Sequence, residues 1–97
     1  MQIITIVEGK IPINKTKEFE KYYAELKKEP FPEGLVRSSL LRNKNNPEIY
    51  RIQTVWQSLE ILEKYRNSTE TPTAILLFQK FGVTPKVEIY SVIYNLP

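Results

Sequence analysis

The spacing of apolar residues changes along this chain, from the alternation of a strand to the wider period of a helix and back. The order of those changes reads β-α-β-β-α-β. Gln2 to Glu8 (QIITIVE) is rich in β-branched residues and predicts a strand, which Pro12 and Asn14 interrupt. From Lys15 to Lys28 the period lengthens: Phe19, Tyr22, Tyr23 and Leu26 fall at i, i+3, i+4 and i+7 on one helix face, with Lys21 and Glu25 a turn apart on the other. Pro30, Pro32 and Gly34 end that helix. Leu35 to Arg42 and Glu48 to Trp56 read as a hairpin closed by the turn Asn43 to Pro47. Ser58 is a natural N-cap for a helix over Leu59 to Asn67, with Glu60 placed to meet its dipole. The run NSTET breaks it, and Thr71 can cap a further helix with Pro72 at its first position. Ala74, Leu77, Phe78 and Phe81 form the apolar face of that helix, and Gly82 suits its end. Lys86 to Asn95 predicts the last strand. The expected fold is α+β and ferredoxin-like: one four-stranded antiparallel sheet with helices on one face, with residues 1–97 forming a single domain.

Helices on one side can cover only one face of such a sheet, so the other should alternate to polar residues. The strands instead offer apolar residues to both sides. Ile4 and Ile6 oppose Ile3 and Val7; Ile49 and Val55 oppose Tyr50, Ile52 and Trp56; Tyr90, Val92 and Tyr94 oppose Val87, Ile89 and Ile93. A bare apolar face of that extent is not a feature of soluble monomers. The expectation is a two-fold homodimer through the helix-free sheet face, because no spare segment is long enough to fold over it.

Composition narrows the chemistry. The chain has no Cys, no His and no Asp, which excludes disulfides, thiolate or imidazole metal sites and Ser-His-Asp or Cys-His nucleophiles. Acid–base work would fall to Glu, Lys, Tyr or the substrate itself. Fourteen basic and 11 acidic residues leave a net charge of +3, too weak to argue for nucleic acid. RNA-recognition modules share this element order, but they expose stacking aromatics on their central strands and IITIV has none, so nucleic acid is not an expected partner. No apolar run approaches a membrane span, the N-terminus lacks a signal-peptide pattern, and a cytoplasmic location is expected. Phosphate loops, dinucleotide fingerprints and glycosidase carboxylate pairs are absent.

Four residues stand out as candidates for ligand contact. Trp56, at a strand end above the helices, offers a ring face and an indole N–H as a pocket wall, or else fills core space. Tyr65 follows on the next helix, with a phenol to bond a substrate oxygen or to sit at the core edge in water. Phe78 belongs to an apolar stripe and reads as core that also reaches a ligand. Arg37, like Arg51, lies within a strand, where an inward charge would hold an anionic oxygen or else pair across an interface with Glu48 or Glu88.

The run Thr54-Val55-Trp56-Gln57-Ser58 resembles the strand-end Trp-x-Ser of the antibiotic biosynthesis monooxygenase family. Gly34-Leu35, the Leu-rich hairpin with its Asn/Pro turn and the broken second helix ending in Phe78, Phe81 and Gly82 are similar as well. The resemblance implies a dimeric α+β barrel in which two ferredoxin-like sheets face each other. It also implies two activities: oxidation of phenols or quinols by dioxygen with no added cofactor, and haem degradation. The haem-degrading type uses a His, an Asn and a Trp; the matching positions here lie near Ile75, near Ile6 and at Tyr65, so haem oxygenation is not expected. Ile52 stands where the cofactor-free type can carry an Asn, while Trp56 matches. The expected function is a cofactor-independent monooxygenase-like protein that holds a small aromatic or phenolic compound between sheet and helices, with no general base identifiable. The alternative is a non-catalytic dimeric binding or structural domain.

Overall fold

The computed structural model describes residues 1–97. Strand β1 (Ile3–Lys10) leads through a short 3₁₀ turn into helix α1 (Thr16–Glu25), and a second 3₁₀ turn at Leu26–Lys28 carries the chain out of it. Strands β2 (Leu35–Arg42) and β3 (Ile49–Trp56) form the hairpin. Helices α2 (Leu59–Ser68) and α3 (Thr73–Gln79) follow, and strand β4 (Lys86–Ser91) closes the order. All pairings are antiparallel, in the order β2-β3-β1-β4, so β3 and β1 are the inner strands and β2 and β4 the edges. The expected ferredoxin-like α+β architecture is present, with three helices packed on one sheet face.

Local chemistry explains most of the boundaries. Ser58 Oγ accepts a hydrogen bond from Ile61 N at 3.3 Å, capping α2 as its sequence suggests. Thr71 does not cap α3; Pro72 takes the N-cap position. Strand β4 stops at Ser91 rather than Asn95. Val92 N donates to Gln2 O at 2.9 Å, and β1 offers no further ladder partner beyond that point. Gly34, between α1 and β2, has φ of 83°, and a Cβ there would lie 2.4 Å from Ile61 Cδ1. Only glycine satisfies both the left-handed backbone and the close approach of α2. At the start of α1 the ion pair is Lys15–Glu18 (3.6 Å), and Lys21 and Glu25 do not pair. No helix is long and apolar enough to cross a membrane.

The core is split in two. The larger cluster joins Val7, Ile11, Phe19, Tyr50, Ile52, Leu77 and Phe78; the smaller joins Ile3, Trp56 and Leu62. Gly9 lets α3 dock on the sheet in the larger one, since a Cβ there would meet the Phe78 ring at 2.6 Å.

The helix-free face is less uniformly apolar than the alternation suggested. Register places Ile4, Val55 and Tyr90 on one rung, but Ile6 lies between Gln53 and Glu88, and Glu8 faces Arg51. Arg51 Nε donates to Glu8 Oε1 at 2.5 Å, and this bond, reinforced by Glu88, raises the guanidinium pKa further. Tyr90 OH donates to Glu88 Oε2 at 2.8 Å, which raises the phenol pKa. The face therefore has a mainly apolar end, with Arg37 at its β2 edge, and a charged, internally paired end. The C-terminal Ile93 and Tyr94 are each 79% exposed, while Val55 on this face is already buried within the chain.

At the far end of the core, Tyr50 is buried with its ring against Phe19, and its hydroxyl donates to Glu20 Oε2. Burial first, and the Glu20 hydrogen bond second, push its pKa up to about 12. The folded state holds this proton more tightly than the unfolded chain, whose tyrosines ionise near pH ~10. The stabilisation is complete below that pH and is lost as pH rises through the folded value. Urea titrations at pH 9 and pH 11.5 should show wild-type stability falling by about 2 kcal/mol more than that of Tyr50→Phe. Equal losses would show that the tyrosine is free to ionise in the fold.

Candidate functional site

Between the two core clusters the sheet and helices separate, leaving a cleft of about 200 Å³. Its floor is the helix-facing side of the sheet: Thr5, Val7, Ser38, Ile52, Thr54 and Trp56, with Leu35 and Val87 at the edges. Tyr23 and Leu26 of α1 form one wall; Leu62, Tyr65 and Arg66 of α2 form another. Pro30, Phe31 and Pro32 in the α1–β2 connection and Pro72 to Ile75 at the start of α3 complete the rim. The prolines are placed where the chain must leave helical geometry, so the rim is stiff at those points.

Trp56 and Tyr65, two residues singled out from the sequence, come together here. Their ring centroids lie 5.1 Å apart with planes inclined at 34°. Trp56 is buried, and its Nε1 donates to Thr5 Oγ1 at 3.1 Å, which fixes the indole plane against the floor. The Tyr65 hydroxyl is engaged elsewhere. It donates to Thr73 Oγ1 at 3.2 Å and accepts from Thr73 N at 3.0 Å. It thus satisfies a backbone N–H that α3 would otherwise leave free at its start, the service expected of Thr71. Tyr65 contributes a ring to the cleft while its phenol ties α2 to α3.

Phe78 and Arg37 are not part of this grouping. Phe78 is fully buried in the larger cluster, with its ring centroid 4.9 Å from that of Phe19, and does not line the cleft. Its place in the helical stripe made it core, and the close approach permitted by Gly9 turned it away from the cavity. Arg37 pairs in register with Val55, after a bulge that follows Leu35, and so lies on the helix-free face. Arg51 lies on that face too, paired with Glu8 rather than with Glu48 or Glu88.

Polar residues that the sequence reading passed over are brought to the cleft instead. The hydroxyls of Tyr23 and Ser38 lie 2.7 Å apart across the gap between α1 and β2, and either can be the donor. Thr5 and Thr54 occupy inward positions among Ile3, Val7, Ile52 and Trp56. A hydroxyl at an inward position of an otherwise apolar strand was the available signal. Arg66, exposed on α2, is the one charged side chain on the lining. No carboxylate lines the cleft, and no three metal-ligating side chains converge anywhere in the chain. The site can stack a flat ring against Trp56 and Tyr65 and donate uncharged hydrogen bonds from its floor. It has no strong base of its own.

Comparisons with known proteins agree with this geometry at the level of the fold. A conserved protein from Methanosarcina mazei is similar with a TM-score of 0.74 and 20% identity, over 93% of this chain and 91% of that one. SnoaB, a cofactor-independent oxygenase from Streptomyces nogalater, matches in a mutant form with a TM-score of 0.74 and 17% identity, over 99% and 97% of the two chains. The haem-degrading protein Rv3592 from Mycobacterium tuberculosis matches with a TM-score of 0.71 and 19% identity over the whole of both. The fold is thus shared by proteins described with different chemistries, and at these identities it does not choose between them. No curated protein matches in sequence. The model of the antibiotic biosynthesis monooxygenase family matches residues 2–75, the stretch that holds β1 to β3, Trp56 and Tyr65, and the start of α3. The chain belongs to the antibiotic biosynthesis monooxygenase family.

Proposed function

We propose that this protein binds a small phenolic aromatic compound in the cleft and presents it to dioxygen without an added cofactor, acting as a homodimer joined through the helix-free sheet face. The observation that carries the reading is the cleft itself, a space of about 200 Å³ lined by the Trp56 and Tyr65 rings in a member of a monooxygenase family. A cavity of ~150 Å³ is enough to hold benzene. About 200 Å³ suits one or two fused rings.

With no carboxylate or imidazole on the lining, the proton must leave through the acidity of the substrate, whose ionised form is the electron donor. The protein excludes water, holds the ring in one orientation and stabilises the negative oxygen with hydroxyl donors. For a ring methylene beside the phenolate, two hydrogens leave the carbon. One atom of dioxygen becomes its new carbonyl oxygen and the other departs as water, so no outside reductant is needed. The chain has no His, and the positions matching the Asn and Trp of the haem-degrading type lie near Ile6 and at Tyr65, which argues against haem as the substrate.

A panel of two-ring phenols and quinols, incubated with the protein in air and under argon, tests the activity. Oxygen uptake matched to product formation in air, with none under argon, is expected. Turnover that ignores oxygen would overturn the oxygenase reading, and binding with no turnover on any member would favour the non-catalytic alternative.

A further inference from the structure

A row of hydroxyls crosses the cleft floor on a single rung of the sheet. Register sets Ser38 of β2 opposite Thr54 of β3, and Thr54 opposite Thr5 of β1. The rungs on either side are apolar there: Leu35, Trp56 and Ile3 above, Leu40, Ile52 and Val7 below. The row is what divides the two core clusters. Its ends are fixed, one by the Tyr23 hydroxyl 2.7 Å from Ser38 Oγ, the other by the Trp56 indole donating to Thr5 Oγ1.

Such a row is costly if it serves nothing. Thr5 and Thr54 are 9% and 7% exposed, and an unmet hydroxyl at that depth costs about 1–3 kcal/mol. The Thr54 hydroxyl has no partner within the chain, yet no side-chain oxygen is sealed from solvent without one, so it opens on the cleft. Thr5 accepts from an indole, which can only donate, and keeps its own proton unspent. Of the four hydroxyl protons on Tyr23, Ser38, Thr54 and Thr5, one is used between Tyr23 and Ser38. Three donors remain, facing a cavity with no carboxylate to receive them.

We infer that the Ser38–Thr54–Thr5 row reads the oxygens of the ligand, and that it selects an aromatic compound bearing two oxygens on non-adjacent ring carbons. This rests on the aromatic-ligand reading above and adds a recognition element to it. Neighbouring strands lie about 4.8 Å apart, so adjacent hydroxyls of the row are spaced on that scale. Oxygens in a 1,3 or 1,4 arrangement can each meet a separate donor. Oxygens in a 1,2 arrangement crowd against one. The donors are uncharged, so they can hold either a carbonyl or a phenolate, the phenolate through the stronger hydrogen bonds.

Trp56 is the only tryptophan, and its fluorescence reports occupancy directly. Naphthalene and the 1,2-, 1,3- and 1,4-dihydroxynaphthalenes, titrated under argon so that none is oxidised, are the probes. The 1,3 and 1,4 isomers should bind about 3- to 10-fold more tightly than the 1,2 isomer, the worth of one hydrogen bond. Thr54→Val keeps the branched shape of the side chain and should abolish that preference, with naphthalene binding as the check that the cleft is intact. Ser38→Ala is the second variant should the first fail to fold. Equal affinity for all three isomers, or a preference that survives both substitutions, would overturn the inference while leaving the aromatic site standing. Failure of every probe, naphthalene included, to alter Trp56 fluorescence would overturn the aromatic-ligand reading and this inference with it.

Discussion

Phe19→Ala is expected to lower the melting temperature by at least about 12 °C, the largest loss of any single truncation in the core. Phe19 is fully buried, and its ring is surrounded by three others: Tyr50 at 5.0 Å, Phe78 at 4.9 Å and Phe81 at 5.5 Å. It is the point where α1, α3 and the sheet meet. A buried Phe→Ala change costs about 3–5 kcal/mol, part transfer energy and part cavity, and a chain of this size shifts by about 4–8 °C per kcal/mol. Total stabilities of such domains are about 5–15 kcal/mol, so the variant loses its fold only if the parent lies at the bottom of that range. Phe81→Ala offers the contrast. Phe81 touches the same ring edge-on but is only half-buried, so its loss should be smaller. Thermal melts followed by circular dichroism, with Phe19→Leu as the milder step, read the order. A Phe81→Ala loss equal to or larger than that of Phe19→Ala would place the centre of the core elsewhere.

The topology was legible because each change of apolar period coincided with a chemical stop: Pro30, Pro32 and Gly34 after α1, the NKNNP turn, Ser58 before α2. Those signals are local, and the structure follows them. What depends on pairing between distant strands was not legible. The inward hydroxyls of Thr5, Ser38 and Thr54 look like isolated polar residues until register sets them on one rung. Arg37 could be placed in a strand but not on a face, because a bulge after Leu35 changes the parity of β2. Counting apolar residues on both sides of each strand overstated the outer face, since Arg51 and Gln53 lie between Ile49 and Val55 there. Trp56 and Tyr65 were readable as a pair because one closes β3 and the other sits on the helix that follows it, so a short link brings them together. The task of the Tyr65 hydroxyl was not, because it depends on where α3 begins.

Ile4→Glu is expected to convert a dimer of twice the 11.4 kDa chain mass into monomers, with the secondary structure retained. Ile4 lies on β1, an inner strand of the sheet, on the helix-free face between Val55 and Tyr90. On that rung Val55 is already buried within the single chain, while Ile4 is part-buried and Tyr90 is 48% exposed, so a second copy would cover Tyr90 and the rest of Ile4. Burying this end of the face against a second copy removes apolar area from water at about 25 cal/mol per Å². At the polar end Glu8 pairs with Arg51 and Glu88 with Lys86 and the Tyr90 hydroxyl, so those charges can approach an interface already partnered, and Arg37, opposite Val55, is the cation of this face left without an ion pair. A carboxylate at position 4 would bring in a charge without a partner, at a cost of about 3–5 kcal/mol on each side of the two-fold axis. Every 1.4 kcal/mol is about tenfold in affinity, so even one such penalty weakens the dimer by about two orders of magnitude or more. In the single chain the same side chain is only part-buried and belongs to neither core cluster, which is why the fold should survive. Leu76→Glu is the control, because Leu76 is half-exposed on α3 on the opposite side of the sheet and its change should leave the mass untouched. Light scattering after size exclusion at micromolar concentration reads both. A wild-type protein that elutes as a monomer, or an Ile4→Glu variant that remains a dimer, would remove the sheet face as the site of association and with it the barrel architecture.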